Sequence, residues 1–274
     1  MKLLLNTLKY LSVALVLLTA LGPMYWILVS SFKPTPELTS SIPTFWPRTF
    51  TFEHYVRLFE QVRFGTYFLN SLLVALGSTA VALVLASLAA YSVYRTRYAG
   101  RRILFGLFLS IYIFPRILLV IPLYITFTRL GLLDTLWALI IVNVTVVAPF
   151  TVWLLRAFFS SIPTSLEDAA LVDGATRLQV LYKIFIPVAA PGLAAVSLNS
   201  FLLCWTEYLF ASIFILSDRQ KTLPVGMAYF LDQYFIDWGL LMSGSVLIAV
   251  PAILVFALAG RYFVQGLTAG AEKG

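Results

Sequence analysis

Residues 167–188 read EDAALVDGATRLQVLYKIFIPV, a polar segment set between two long apolar runs of the chain. The segment holds the carboxylates of Glu167, Asp168 and Asp173, and Gly174 lies near its centre. Charged residues are costly inside a bilayer, and a membrane-spanning chain has no structural need for so long a polar segment in its middle. We therefore predict that this segment lies outside the membrane and is recognised by another protein.

The composition places the rest of the chain in a membrane. Of the 274 residues, 61% are hydrophobic and 11% are charged, and the mean hydropathy is +0.93. A transmembrane helix needs about 20 apolar residues, and the apolar runs lack the two-residue alternation of a β-barrel strand. We predict an all-α membrane protein, a single domain over residues 1–274, with six transmembrane helices. The predicted spans are 8–31, 67–94, 103–127, 135–158, 188–216 and 240–263.

The first apolar run has two interpretations, a signal peptide or a retained helix. Lys2 and Lys9 supply the positive charge that a signal peptide carries at its start. The apolar stretch is about 20 residues, longer than the roughly 7–15 of a signal peptide, and no A-x-A cleavage site follows it. We expect a retained helix.

The distribution of Lys and Arg predicts the orientation. With the N-terminus inside, the inner segments carry eleven of these residues and the outer segments seven, and four Arg lie between positions 95 and 102. Basic residues are enriched in cytoplasmic loops. We therefore expect both termini and residues 160–187 in the cytoplasm, and residues 32–66 as an outer loop with a short interfacial helix at 53–61. No basic domain stands clear of the membrane, so no nucleic-acid partner is expected.

Several kinds of chemistry are excluded by the residue inventory. Cys204 is the only cysteine and His54 the only histidine, which argues against an internal disulfide, a histidine-based metal cluster and a Ser-His-Asp triad. The sequence contains no G-x-x-x-x-G-K-[ST] phosphate-binding loop. We expect no cofactor on this chain and no enzymatic activity of its own. The energy for any transport must come from an ion gradient or from another subunit.

Two charged residues, Arg116 and Glu207, fall inside predicted spans. Each costs about 2.5–3.5 kcal/mol at the bilayer centre, so each is expected to face water or the interior of the helix bundle. Pro115 and Pro122 are expected to kink the third span beside Arg116. The candidate pathway for a hydroxyl-rich solute comprises Tyr112, Arg116, Asn199, Trp205, Thr206, Glu207 and Tyr208. The alternative is an Arg116–Glu207 ion pair that only holds two helices together.

The polar segment itself is predicted to form two short helices joined by a turn. Ser165 is expected to cap the first helix in a capping box with Asp168, and Gly174 to end it. A second amphipathic helix is expected at 178–185. The residues expected to face a partner are Glu167, Asp168, Ala169, Ala170, Asp173 and Gly174. An ordinary interfacial loop is the alternative, although such loops normally carry basic rather than acidic residues.

The segment closely resembles the cytoplasmic EAA loop of binding-protein-dependent ABC importers. That loop has the pattern E-A-A, three residues, Gly, nine residues, Ile-x-Leu-Pro. The corresponding residues are Asp168-Ala169-Ala170, Gly174 and Ile184-Phe185-Ile186-Pro187, at complete spacing. Two positions depart conservatively from the pattern, Asp168 for Glu and Ile186 for Leu.

The resemblance extends over nearly the whole chain and is narrower for the sugar-uptake, maltose-type permeases. FLLCWTEYLF resembles the family's W-N-E-F stretch, with Thr206 in place of Asn. The other matching stretches are SFKPTPEL, WPRTFTFEHY, FLNSLLVAL, IPLYITFTRLGLLDT, PFTVWLLRAFFSSIPTSLEDAALVDGA, TLPVGM and RYFVQGLTAGAEKG. So many motifs in the family's order identify the chain as resembling a permease subunit of such an importer.

The resemblance implies a set of partners. It predicts a second, usually different, permease subunit, two ABC ATPase subunits that bind ATP and Mg, and an extracytoplasmic solute-binding protein. The EAA loop would dock in a groove of the ATPase, and the complex would lie in a bacterial or archaeal cell membrane and carry a sugar. The alternatives are an ion-coupled secondary transporter, which predicts acidic relay residues and broken helices in duplicated halves, and an ABC permease for glycerol phosphate.

Overall fold

The computed structural model describes residues 2–96, 98–231 and 236–271. Its helices begin with α1 Lys2–Ser30, α2 Thr35–Leu38, α3 Glu53–Glu60, α4 Phe64–Arg95, α5 Arg101–Ile113, α6 Arg116–Arg129 and α7 Leu136–Ser160. They continue with α8 Thr164–Val172, α9 Arg177–Val180, a π-helical turn Leu181–Phe185, α10 Ile186–Val188, α11 Ala190–Trp205, α12 Leu209–Phe214, a 3-10 turn Asp218–Gln220, α13 Leu223–Ala228 and α14 Trp238–Ala271. Among the described residues, β pairing is limited to an isolated bridge between Leu231 and Ile236.

The described residues contain five helical segments long and apolar enough to cross a membrane, and a sixth if a sharply bent pair of helices counts as one span. The five are Asn6–Ser30, Phe64–Arg95, Leu136–Ser160, Ala190–Phe214 and Trp238–Gly260, and the bent pair is Arg101–Ile113 with Arg116–Arg129. The predicted all-α membrane fold is confirmed. The first apolar run is a long helix that meets the length and composition of a span.

The third predicted span bends at Pro115, where a kink was expected, but it is broken there into two helices. The two helices α5 and α6 meet at an angle of 100°, and the chain between them is extended at Phe114 and Pro115. Proline lacks a backbone N–H and disfavours helical geometry in the residue before it. Because the helix restarts after Pro115, Arg116 is the first residue of α6 and does not lie in the middle of a straight helix. Pro122 lies inside α6.

The fifth predicted span, 188–216, is also interrupted. Helix α11 ends at Trp205 and α12 begins at Leu209, so Thr206, Glu207 and Tyr208 lie outside helical segments. The Glu207 carboxylate accepts hydrogen bonds from the backbone N–H groups of Phe210 at 2.7 Å and Ala211 at 3.0 Å. These N–H groups at a helix start have no partner within the helix. The break in this span is therefore stabilised by Glu207.

The chain divides into two compact units, residues 1–65 with 226–251, and residues 66–225 with 252–274. In the first unit, the short helix predicted at 53–61 forms as α3, and its buried His54 ring bonds the Lys33 carbonyl at 2.9 Å. In the second unit, α7 packs against both α5 and α11. One buried cluster there surrounds Phe159 and Phe185, and another surrounds Phe127 and Phe214.

Candidate coupling loop and transport pathway

Helix α8 starts one residue before the predicted cap. Its N-cap is Pro163, which makes no side-chain capping bond, so the predicted Ser165–Asp168 capping box was wrong. A capping box does form at α9, where the Gln179 N–H donates to Thr176 Oγ1 at 3.3 Å and the Thr176 N–H donates to Gln179 Oε1 at 2.7 Å. The T-x-x-Q pattern that marks it was present in the sequence.

Gly174 ends α8, as predicted. Its φ of +83° lies in the left-handed region, which side chains other than glycine disfavour. The Gly174 N–H donates to the Leu171 carbonyl at 3.1 Å, and the Ala175 N–H donates to the Ala170 carbonyl at 2.9 Å. These two bonds form a Schellman motif, which satisfies the last carbonyls of the helix. The turn between α8 and α9 is therefore defined by backbone hydrogen bonds.

Glu167 points into the protein and does not face outward. Its side chain is 7% exposed, and its Oε1 accepts a hydrogen bond from the Tyr91 hydroxyl at 2.7 Å. Arg95 Nε lies 3.1 Å from Oε2, and Arg177 lies 3.8 Å from Oε1. Both partners at short distance, Tyr91 and Arg95, belong to the last turns of α4. The carboxylate therefore joins α8 to a helix about 70 residues earlier in the chain.

Arg95 is held from several directions. Its side chain is 5% exposed, and one terminal nitrogen donates to the Ile162 carbonyl at 2.7 Å. The guanidinium also lies over the rings of Tyr94 and Phe185, at 4.7 and 4.8 Å from the ring centres. A buried ion pair is favourable only when additional hydrogen bonds satisfy its members. The hydrogen bond to Ile162 and the two ring contacts stabilise the guanidinium, although its Nε makes no hydrogen bond. They also attach the chain just before α8 to the end of α4.

The opposite face of α8 is exposed and partly apolar. Ala169 lies at the centre of this face, flanked by Leu166, which is 46% exposed, and Val172, which is 87% exposed. The expectation that both alanines are bare holds for Ala169 only, because Ala170 packs against the buried cluster around Phe159. Sequence reasoning missed Leu166 and Val172, although their spacing of three residues from Ala169 places them on its face.

The remaining predicted partner-facing residues lie at the surface. Asp168, Asp173 and Gly174 are exposed. Of the six residues named from the sequence, Glu167 is therefore buried, Ala170 is half-buried and the other four are accessible. The arrangement combines an anchored inner face with an accessible outer face that can receive another protein.

The bend between α5 and α6 creates a cleft of about 210 Å³. Tyr112, Phe114 and Arg116 line it from the bend, and Thr145 lines it from α7. The Tyr112 ring stacks on Phe150 with 6.1 Å between the ring centres. Arg116 and Tyr112 are both exposed, so an accessible cation, a phenol and a hydroxyl share this cleft.

The other predicted pathway residues occupy different environments. Trp205 is 2% exposed and packs against the rings of Phe201 and Phe68, at 5.7 and 5.6 Å between ring centres. Asn199 is half-buried on α11. The Trp205 side chain therefore packs in the protein interior and does not line an accessible surface.

The break between α11 and α12 presents Thr206 and Tyr208, which are both exposed. Glu207 is half-buried, and its carboxylate is attracted electrostatically by Arg116. The two side chains, both among the described residues, form no ion pair. Both Glu207 oxygens accept backbone hydrogen bonds. The structure therefore shows no direct contact that would support the alternative, an Arg116–Glu207 pair that holds two helices together.

The buried position of Glu167 generates a stability prediction. Replacing Glu167 by Ala leaves Arg95 as a buried charge without its carboxylate, and breaking a buried pair in this way costs about 3–5 kcal/mol. Asp168→Ala, on the neighbouring exposed residue, should change stability by less than about 0.5 kcal/mol. Thermal unfolding of the purified variants would measure both effects. Equal midpoints for the two variants would contradict the anchoring role.

Comparison with known proteins places this geometry in a family. The chain matches the model for the binding-protein-dependent transport system inner membrane component over residues 82–269. It is 42% identical to the inner membrane ABC transporter permease protein YcjP of Escherichia coli (strain K12), over 97% of this chain and 95% of that protein. It is 34% identical to the diacetylchitobiose uptake system permease protein DasC of Streptomyces coelicolor, over 92% of this chain and 91% of that protein.

A solved structure is similar in fold. It is a bacterial ABC transporter involved in the import of the acidic polysaccharide alginate, with a TM-score of 0.82 and 24% identity over 95% of this chain and 96% of that one. The family match and the similar fold agree with an all-α membrane protein. The chain belongs to the family of inner membrane components of binding-protein-dependent transport systems.

Proposed function

We propose that this chain forms half of the translocation pathway of an ATP-driven importer, and that its cargo is a sugar or oligosaccharide delivered by an extracytoplasmic binding protein. The observation that carries the proposal is α8, which is anchored through Glu167 on one face and presents Ala169 on the other. The carbohydrate cargo is supported by the diacetylchitobiose uptake system, to whose permease the chain is similar along nearly its whole length.

The orientation is part of the proposal. Both termini and the loop at 160–187 face the cytoplasm, and residues 32–66 form an outer loop. This orientation is supported by the basic residues Arg95, Arg101 and Arg102, which lie at the end of α4 and the start of α5. Positive residues favour the cytoplasmic side. The permease is then a single domain over residues 1–274, whose coupling loop meets partners inside the cell.

The proposed complex contains a second permease subunit, usually a different chain, and two ABC ATPases that hold ATP and Mg. A surface for a further subunit is offered by α1, since little of its spanning segment is buried within this chain. Lipid and a second permease can cover so large an apolar surface. The nucleotide and its metal belong to the ATPases, and this chain supplies the docking surface.

In this proposal the two faces of α8 have different tasks. The exposed face, with Ala169 at its centre and Asp168, Asp173 and Gly174 beside it, docks in a groove of the ATPase. The buried face, with Glu167 and Ala170, fixes the helix to the protein. A small residue at the centre permits close approach of the partner. A movement of the ATPase is then transmitted to α4 through Glu167 and Arg95.

The proposed pathway uses the two interrupted spans. Tyr112 and Arg116 line the cleft at the first break, and Thr206, Glu207 and Tyr208 form the second break. Exposed hydroxyls and a phenol can replace part of the hydration of a sugar. Asn199 and Trp205 lie behind the second break and contribute through packing.

An anionic cargo such as glycerol phosphate is the second candidate. Arg116 is exposed in the cleft, and in the part of the chain that the structure describes no carboxylate pairs with it. An ion-coupled transporter is less well supported. The two broken spans agree with it, but an ion-driven mechanism gives no task to the anchored loop with its exposed docking face.

The first prediction of this proposal concerns the source of energy. Uptake by the reconstituted complex should stop when the partner ATPase is made unable to hydrolyse ATP, because this chain carries no phosphate-binding loop. Sugar uptake into proteoliposomes, with and without a proton gradient, is the measurement. Uptake that persists with the inactive ATPase and follows the proton gradient would overturn the proposal.

The second prediction concerns docking. Ala169→Glu places a long charged side chain at the centre of the exposed face, and Gly174→Asp adds one at a position whose φ of +83° also disfavours it. Both should leave the permease in the membrane at near-normal levels and reduce retention of the ATPase by about tenfold or more.

Ser161→Glu is the matched control, since Ser161 is also exposed but precedes α8. Co-purification of the ATPase with each membrane-inserted variant is the measurement. Normal retention and normal substrate-stimulated hydrolysis in Ala169→Glu would remove the docking role from this face.

The third prediction separates the pathway from a structural pair. Arg116→Ala and Glu207→Ala should each impair uptake, and Glu207→Ala should also destabilise the start of α12 by about 0.5–2 kcal/mol through loss of its cap. A double-mutant cycle on complex assembly should give a coupling energy below about 0.5 kcal/mol. Assembly that fails in each single variant and recovers in the double variant would support the ion pair instead.

A further inference from the structure

A cavity outside the proposed pathway lies in the unit formed by residues 1–65 and 226–251. Its volume is about 210 Å³, below the roughly 300–1,000 Å³ of pockets for drug-sized ligands, so it suits one small molecule or one ring of a longer molecule. Among the residues that line it are Trp26, Ser30, Lys33, Glu37, Thr44 and Trp238.

The floor of this cavity holds a buried hydroxyl without a partner. Ser30 is 1% exposed, and its Oγ makes no hydrogen bond. Buried polar groups are nearly always hydrogen-bonded, and an unmade bond costs about 1–3 kcal/mol. Because Ser30 also lines the cavity, a ligand hydroxyl placed there would satisfy it.

The charges around the cavity are balanced. Lys33 is 2% exposed, donates to the Thr44 carbonyl, and holds its ammonium 4.3 Å from the centre of the Trp26 ring. Glu37 accepts hydrogen bonds from the Thr44 hydroxyl and from the Arg48 N–H, the latter at 3.2 Å. The Thr44 hydrogen bond is the main reason that the pKa of Glu37 lies below its usual value, so this residue stays ionised.

One buried cation and one carboxylate favour a neutral ligand with several hydroxyls. Such a ligand can donate to the carboxylate of Glu37 and accept from the ammonium of Lys33, whereas an anion would be repelled by Glu37. The rim is aromatic, since Trp238 is 42% exposed there. An indole face suits the apolar side of a sugar ring. Pockets of this kind combine aromatic walls with a few fixed polar groups.

We propose that this cavity binds a single neutral sugar ring, as the terminal unit of the cargo or as a free monosaccharide unit. The inference rests on the proposed function for its choice of a carbohydrate. In the proposed orientation the cavity lies on the extracytoplasmic side, where the outer loop forms part of its wall and the binding protein delivers its cargo. The residues that line this cavity belong to a different unit from those at the two span breaks.

The test measures maltose binding to the whole complex in the absence of its binding protein, and saturation-transfer NMR detects the bound sugar. The complex is held in lipid nanodiscs whose lipids have no sugar head groups, since alkyl maltoside detergents would occupy the site themselves. Wild type should give a saturable signal. Trp238→Ala and Ser30→Val should each weaken binding by about tenfold. The matched control Trp137→Ala, whose residue is 65% exposed and does not line the cavity, should change it by less than about twofold.

Three outcomes would overturn the inference: no saturable signal in wild type, equal weakening by Trp238→Ala and Trp137→Ala, or glycerol phosphate displacing maltose more strongly than free glucose does. Membrane insertion and assembly of each variant are measured alongside, and Ser30→Val serves if Trp238→Ala fails to assemble. ATP-driven uptake that persists without maltose binding at this site would overturn this inference alone. Binding with uptake independent of ATP would overturn the importer proposal alone.

Discussion

The buried contact between Glu167 and Arg95 is the constraint on which the coupling loop depends. The polar segment leaves α7, turns twice and returns to α11, so its covalent connections alone do not fix α8 against the rest of the protein. The carboxylate of Glu167 accepts a hydrogen bond from Tyr91 and forms an ion pair with Arg95 at the end of α4, which is far away in sequence. This contact determines which face of α8 is buried, and the exposed face follows from helical geometry.

The two interrupted spans have local causes of different kinds. At α5 and α6, Pro115 removes a backbone donor and extends the residue before it. At α11 and α12, the carboxylate of Glu207 accepts the N–H groups that the restarted helix leaves free. Irregular backbone at membrane depth is tolerated where it is buried in protein or lines a water-filled cavity. Both breaks therefore coincide with the residues proposed to meet the cargo.

The sequence predicted the features that depend on local composition and missed those that depend on distant partners. Long apolar runs predicted the spans, and the end of α8 at Gly174 was expected because glycine readily adopts the left-handed conformation that ends many helices. Hydropathy cannot distinguish a straight span from one broken at Pro115, because both are equally apolar. The inward direction of Glu167 was missed because its partners on α4 lie about 70 residues away. Pro163 shifted the helix start and so removed the expected cap at Ser165.

The central claim is that α8 and α4 move as one body, and a distance measurement in the working complex tests it directly. Spin labels would be placed at Thr164 on α8, away from the face around Ala169, and at Val84 on α4, and both residues are exposed. On ATP binding by the partner, the account predicts that this distance changes by less than about 2 Å, the size of a small helix shift. The same pair in Glu167→Ala should move more. A change of about 5 Å or more with Glu167 intact, as in a one-turn slip, would contradict the account.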